Sequence, residues 1–482
     1  MLPWSLFWCS SLLSAAFLAV VHAQDGGISG AQTSAQAAGY SCDPSLCKLP
    51  DCNCASTSPP GGLSPSDVPQ FIVFTADDAV QSYTLDAVNQ FLAQRQNPNG
   101  CTPKMTYFTS LNYTNYTLVT DWYVAGNEIA DHTMTHVASP DAEQINGNLI
   151  ALNTLAGIPY SAINGFRAPF LNYTVQTLQI LNQSRFTYDS SAASSIPVTD
   201  PDTDAYWPYT LDYGMANGCL VVEGICKGEP KLPGLWEIPM YAFFDKRGVA
   251  GPHLMDPWLD AANGNSKVND TATLEYMKDT FTAHYSGNRQ PIGLYMHPIH
   301  LSTTYPGVKA PTGTIQMIND FLSWAQEQQD VWIVSDEQLL AWVRNPVKVC
   351  RVPSHLAHVT LSPTFLNPKI DNSSKICNGM PAHEEGLLAH CAFSDFPFYT
   401  CYGCPEETPS PSNPDPPQAT GGGQKTRYRL PLNCSTPFWD PIAGNCICDA
   451  QNCQFTDTSR PIGPNGANLT GSSIGMLGVW NR

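Results

Sequence analysis

The sequence predicts an α/β protein, a (β/α) barrel with cysteine-rich flanking segments, and three observations carry that expectation. Between Gln70 and about Val343, short apolar, β-prone runs alternate with amphipathic stretches, the pattern of parallel strands linked by helices. A stretch of this length is enough for one barrel with a full core. On either side the periodicity is lost, and cysteine, proline and small polar residues take over.

Taken in order, Phe71–Thr75 reads as the first strand because it is an apolar run with β-branched and aromatic residues, and the stretch from Thr84 to Gln94 reads as the helix after it. Further strands are expected at Met105–Phe108, Glu128–Ala130, Ala162–Phe166, Phe186–Asp189, Leu235–Pro239, Ile292–His297 and Val331–Val334. Helices are expected at Asp141–Leu155, Thr174–Leu181, Thr271–His284 and Thr314–Gln328, where apolar residues recur at helical spacing. Outside the barrel, residues 1–23 read as a signal peptide: an apolar stretch, Leu2 to Val21, ends in the small-residue pattern Val21-His22-Ala23. A membrane anchor is the competing reading of that run. Residues 24–66 form a flexible leader and a cysteine-rich segment, 67–345 the central domain, 346–404 a cysteine-containing extension, 405–425 a Pro/Gly/Ser linker, and 426–482 a small cysteine-rich unit. In that last unit Phe438 and Trp439 are candidates for stacking on sugar rings, with a buried core role as the alternative.

Of 17 cysteines, Cys9 lies in the expected signal peptide and the even remainder suits a disulfide framework in an oxidising compartment. Cys42, Cys47, Cys52 and Cys54 are expected to form disulfides rather than a metal site. Eight Asn-X-Ser/Thr sequons, at Asn112, Asn115, Asn172, Asn182, Asn269, Asn372, Asn433 and Asn468, fit a secreted glycoprotein, extracellular or associated with a cell wall or matrix. With 41 acidic and 23 basic residues, the net charge of −18 repels phosphate backbones and anionic lipid, which argues against nucleic acid as a partner. No second apolar run is long enough for stable membrane insertion.

The chemistry gathers at the ends of the expected strands. The first finishes in Thr75-Ala76-Asp77-Asp78, and two adjacent carboxylates past a buried strand call for a metal or a cationic partner unless they form a solvated turn. The third runs into Asp131-His132-Thr133-Met134-Thr135-His136. On a helical turn, the i,i+4 spacing places both imidazoles on one face, suited to zinc, and Asp78 supplies a third ligand with a position left open for water. It is not the zincin pattern, since Thr133 stands where that motif has Glu. Arg167-Ala168-Pro169-Phe170 follows the fourth strand, and Leu294-Tyr295-Met296-His297 closes the seventh. Asp200, Asp202 and Asp204 alternate as in a calcium loop but lack its Gly and distal Glu, so they read as a solvated loop. His355 and His358 have no partner ligands in sequence and read as structural.

In this order and spacing, Asp-Asp, His-X3-His, Arg-X-Pro-Phe and a strand-terminal His resemble the polysaccharide deacetylases of carbohydrate esterase family 4, over about residues 67–345. The forms Asp77-Asp78-Ala79-Val80, Pro233-Gly234-Leu235-Trp236-Glu237-Ile238-Pro239 and Leu294-Tyr295-Met296-His297 are similar to those of arthropod and fungal chitin deacetylases. The resemblance implies a distorted barrel of about seven strands and a zinc ion, or another divalent metal such as cobalt, held by Asp78, His132 and His136. It implies Asp77 as general base with Arg167 beside it, the Phe170 backbone N–H as oxyanion donor and His297 as general acid. It also implies Trp236 and Tyr295 at the substrate, chitin or a related N-acetylglucosamine polysaccharide. His300 is a weaker rival to His297, and Glu237, next to Trp236, is not aligned with the acid that tunes the histidine in the family. The family's first motif has an aromatic residue where Ala76 stands, which predicts a local cavity rather than loss of metal. The rival reading is a catalytically silent chitin-binding wall or matrix protein, and a further alternative is a deacetylase of another acetylated polysaccharide.

Overall fold

The computed structural model describes residues 39–219, 222–226, 229–245, 251–259, 269–349, 388–394, 396–419, 427–431, 433–446 and 457–469. The expected signal peptide, most of the leader behind it, the sequon at Asn372, and His355 and His358 lie outside the described residues. The strands are β1 (Gln70–Asp78), β2 (Thr106–Thr109), β3 (Glu128–Asp131), β4 (Gly165–Phe166), β5 (Tyr188–Asp189), β6 (Ala193–Ser194), β7 (Tyr209–Leu211), β8 (Leu232–Glu237), β9 (Met240–Tyr241), β10 (Phe243–Phe244), β11 (Pro252–His253), β12 (Ile292–Met296) and β13 (Val331–Val334). The helices are α1 (Ser82–Leu92), α2 (Tyr116–Val124), α3 (Ala142–Ala156), α4 (Val175–Gln183), α5 (Asp270–Ser286), α6 (Thr312–Gln326) and α7 (Asp336–Arg344).

Parallel pairing runs through β12, β1, β2, β3, β4, β5 and β8, the distorted barrel that the sequence predicts, with β7 antiparallel to β8 at the end. Its distortion begins at β1. Ile72 pairs with both Ile292 and Ile333, and Ala76 with both Met296 and Tyr107, so β12 takes one edge of β1 while β13 and then β2 share the other. Both faces of β1 are buried, as parallel strands require. Ile72, Phe74 and Ala76 join the apolar layer beneath the helices; Phe71 and Val73 face the barrel interior with Phe108, Tyr188, Trp236 and Tyr295. Ala76 therefore sits on the face opposite to the one that Thr75 and Asp77 share with Phe71 and Val73. Substituting an aromatic by alanine there alters helix packing, not the polar interior.

Most expected elements form, with ends shifted by a few residues. Not expected were α2, α7, β7 and the two-residue strands β6, β9, β10 and β11. The α2 sequence is rich in β-branched and aromatic residues, which weakens its helical signal. The Asn115 side chain caps it by accepting from Thr117 and Leu118, and burial of one face does the rest. Short α7 starts with a capping box between Ser335 and Gln338, a signature legible in the sequence.

The flanks are stapled, with disulfides Cys42–Cys54, Cys47–Cys52, Cys219–Cys226, Cys391–Cys404 and Cys434–Cys446 among the described residues. The first two pair the four N-terminal cysteines in disulfides, as expected. The extension includes an antiparallel hairpin, β14 (Ala389–Cys391) and β15 (Phe398–Thr400), laid on α2. Phe398 meets Tyr116 edge to face at 5.5 Å, and the Thr400 hydroxyl donates to the Leu155 carbonyl at 2.6 Å. Residues 405–419, expected as linker, are held in place: Pro405 bridges Gln418, and half-buried Asp415 pairs with buried Arg429 at 2.8 Å. Trp439 is buried and donates to the Tyr428 carbonyl, so it takes the core role. Asp204, expected in a solvated loop, is buried and accepts from the backbone N–H groups of Ser195 and Ile196, a turn-closing acid rather than a calcium ligand. Among the described residues no helix is long and apolar enough to cross a membrane.

Candidate active site

Because the strands run parallel, the C-terminal ends of β1, β3, β4, β5 and β12 open on one end of the barrel. Asp77 comes first. It is 3% exposed, and its Oδ1 accepts from Arg167 Nη1 at 2.8 Å. Arg167, fully buried at the exit of β4, also donates from Nη1 to the Thr75 hydroxyl at 2.7 Å and from Nε to the Ser190 carbonyl at 2.9 Å. Its guanidinium lies 4.0 Å from the centre of the Phe108 ring. Burial works against the guanidinium charge, but the Asp77 carboxylate overrides it and raises the Arg167 pKa. One side chain thus ties the ends of β1, β4 and β5 together and keeps a cation against the Asp77 carboxylate.

At Asp78 the strand alternation breaks: φ is 84°, and the side chain is half-buried at the mouth of the barrel. His132 and His136 reach it from the loop after β3, and here the structure corrects an expectation. That loop is not helical. Thr133 and His136 have φ of 64° and 53°, and Asp131 fixes the turn by accepting from Thr133 N–H at 2.7 Å and from Asn148 at 3.2 Å. A turn with left-handed residues, locked by a buried acid, brings the imidazoles together where the sequence spacing suggested a helix face. Their Nε2 atoms stand 3.7 and 3.1 Å from Asp78 Oδ1, and the candidate donor atoms of the three residues lie within 4.8 Å of one another.

The donor set fits a divalent cation. His132 Nδ1 is 2.8 Å from the Arg167 carbonyl, which can only accept, so Nδ1 carries the proton and Nε2 presents its lone pair beside Asp78. Burial pushes the His132 pKa down to about 4, against the raising fields of Asp77 and Asp78, so the imidazole is neutral, as a ligand must be. Burial also acts to raise the Asp78 carboxyl, but the hydrogen bond from His136 and the fields of His297, His132 and His136 hold it well below the ordinary carboxylate range. A neutral imidazole and an ionised carboxylate, with a second imidazole in reach, suit a divalent cation and leave room for further ligands.

His297, directly after β12, forms the other side. Its Nδ1 is 2.6 Å from Asp256 Oδ2, and its backbone N–H donates to Asp256 Oδ1 at 2.9 Å. Burial alone would depress this imidazole; the Asp256 charge and hydrogen bond, with the fields of Asp78 and Asp77 behind them, hold its pKa well above the ordinary value. The tuning acid is therefore Asp256 and not Glu237, which is buried in a carboxyl pair with Asp189. Sequence reasoning missed Asp256 because it stands alone in the run Leu254-Met255-Asp256-Pro257, in a turn with φ of 44°, outside any recognisable spacing. His300 lies beside His297, ring centres 5.9 Å apart, but is exposed and does not line the cleft.

A cleft of about 720 Å³ opens over these groups, lined by Asp77, Asp78, His136 and His297 among others. Phe170 has φ of 57° and sets its ring edge-on to His136 at 4.6 Å. Trp236 and Tyr295, expected at the substrate, are instead 2% and 1% exposed and line no part of this cleft. Both strands turn these rings into the barrel, where the Tyr295 hydroxyl accepts from Tyr241 N–H at 2.8 Å and its ring backs Arg167. What the sequence did not offer is the wall: His390, Pro397 and Tyr399 of the extension, with Tyr113, line the same cleft.

No protein-family model matches the chain. Two silkworm proteins do. The chain is 29% identical over 362 residues to Chitin deacetylase 8 of Bombyx mori, covering 70% of this chain and 90% of that protein. It is 30% identical over 331 residues to Chitin deacetylase 1 of Bombyx mori, covering 63% of this chain and 57% of that protein. Among solved structures, the chitin deacetylase from the fungal pathogen Colletotrichum lindemuthianum aligns at a TM-score of 0.28 and 13% identity, over 59% of this chain and 91% of that one. The chain is thus similar in sequence to insect chitin deacetylases, and the structure brings together the residues by which it resembles carbohydrate esterase family 4.

Proposed function

We propose that the protein hydrolyses N-acetyl groups of N-acetylglucosamine polymers of the chitin type, releasing acetate, with residues 67–345 as the catalytic unit. The observation that carries this reading is the convergence of a three-ligand site, Asp78, His132 and His136, with an arginine-held carboxylate and a carboxylate-held histidine in one cleft. Zinc, or another divalent metal such as cobalt, would when bound to those three ligands polarise an acetamide carbonyl and acidify water.

The chain's own groups divide the proton work. Asp77 has Oδ1 tied to Arg167, which leaves Oδ2 to take the proton of the water attacking the carbonyl carbon. The backbone N–H of Phe170 donates to the oxyanion that develops on the former carbonyl oxygen. His297, its Nδ1 proton committed to Asp256, delivers the Nε2 proton to the amine nitrogen as the C–N bond breaks. Acetate and a free glucosamine unit leave. The disulfides and the similarity to silkworm deacetylases support an exported protein, secreted or held in an extracellular matrix or wall.

The test is acetate release from chitin oligomers by the purified protein. It should be abolished by a chelator, restored by zinc or cobalt, and reduced about 10²- to 10⁴-fold in Asp77→Asn. Chitin binding with no acetate release by metal-loaded protein would select the silent-binder alternative, and release from acetylated xylan alone would replace the substrate.

A further inference from the structure

The β14–β15 hairpin has two faces with different fates. Strand alternation turns Ala389, Cys391, Phe398 and Thr400 inward, all buried, against α2 and the end of α3. It turns His390 and Tyr399, which pair directly across the two strands, the other way. Those two rings stack on each other, centres 4.6 Å apart and planes 22° from parallel, and Tyr399 is 41% exposed. The inward face and the Cys391–Cys404 bridge hold the hairpin; the outward aromatic pair is not needed for that. Both rings line the catalytic cleft. Tyr113, 56% exposed and edge-on to Phe396 of the same hairpin at 5.9 Å, lines it too.

We propose that this hairpin, contributed by sequence beyond the barrel, forms a sugar-stacking subsite with Tyr399 as its platform and so adapts the cleft to a polymer rather than an isolated acetamide. A pyranose ring has an apolar C–H face and polar edges. An exposed ring pre-stacked on a neighbour offers that face a flat surface at little cost in side-chain freedom. Cleft length matters as well, since residues away from the reacting bond can hold a polymer but have nothing to grip in a small substrate. The inference rests on the deacetylase reading above for its substrate class.

The experiment compares the wild type, Tyr399→Ala, Tyr399→Phe and His390→Ala, with Tyr428→Ala as an exposed tyrosine outside the cleft. Thermal unfolding first establishes that each variant is folded. With an N-acetylglucosamine hexamer, Tyr399→Ala is expected to raise KM roughly five- to tenfold at unchanged kcat. Tyr399→Phe should keep most of the affinity, Tyr428→Ala all of it, and hydrolysis of 4-nitrophenyl acetate, which has no pyranose ring, should be the same in every variant. Should Tyr399→Ala fail to fold, His390→Ala carries the same expectation. An active wild type whose hexamer KM is unmoved by either substitution overturns the subsite and leaves the deacetylase reading standing. If the wild type releases no acetate, that reading fails, and calorimetric titration with the hexamer decides the subsite: weaker binding by Tyr399→Ala supports it, and equal or absent binding overturns it.

Discussion

His132 and His297 both act on Asp78, are both buried, and are driven in opposite directions. Burial wins at His132, whose nearest fixed partner is a backbone carbonyl, and the ring is neutral. At His297 a carboxylate 2.6 Å away wins against burial, and the ring holds its charge. Desolvation does not by itself decide what a buried histidine becomes; the group on its second nitrogen does. One side of the cleft is thereby prepared to bind a cation and the other to release a proton.

The largest effects should come from breaking the two sides separately. His132→Gln is expected to lose bound metal and activity together, and His297→Gln to keep its metal while kcat falls about 10²- to 10⁴-fold. Metal content by atomic absorption alongside acetate release separates them, and loss of metal in both variants would dissolve the contrast. Next in size is Arg167→Met, which strands Asp77 as an uncompensated buried carboxylate and should cost about 3–5 kcal/mol of stability by urea unfolding.

Smaller, but sharper, is Asp256→Asn. With the carboxylate gone, burial prevails and the His297 pKa falls, so the alkaline limb of the kcat profile should move to lower pH. Linkage gives a second readout. A histidine whose folded pKa is raised contributes stability below its unfolded value of about 6.5, and that contribution is lost as pH rises through the folded pKa. The wild type should therefore lose this increment on the alkaline side, and Asp256→Asn should lack it throughout. Identical stability-versus-pH curves would assign the Asp256 contact no role in holding the charge.

Much of this was legible in the sequence, for a physical reason. A buried parallel strand is a near-continuous apolar run, so Phe71–Thr75, Ile292–His297 and Val331–Val334 announce themselves, and polar residues immediately after them mark the catalytic end. Asp77, Asp78, His132, His136, Arg167 and His297 were found that way, and the structure brings them together. Side-chain direction was less legible: Trp236 and Tyr295 belong to recognisable motifs, yet strand alternation turns both inward. Partners set by tertiary contact alone were not legible at all. Asp256 meets His297 across 41 positions, and Thr400 reaches Leu155 across 245, without any local pattern to mark either.

Arg167 serves two groups of the site at once. Its guanidinium steadies Asp77 while its own carbonyl selects the tautomer of His132. On the proposed reading, base strength and metal affinity are therefore not separate dials. A shift of that backbone by a few tenths of an ångström would detune both at once, and any engineering that seeks a different cation must either keep this residue where it is or rebuild two functions together.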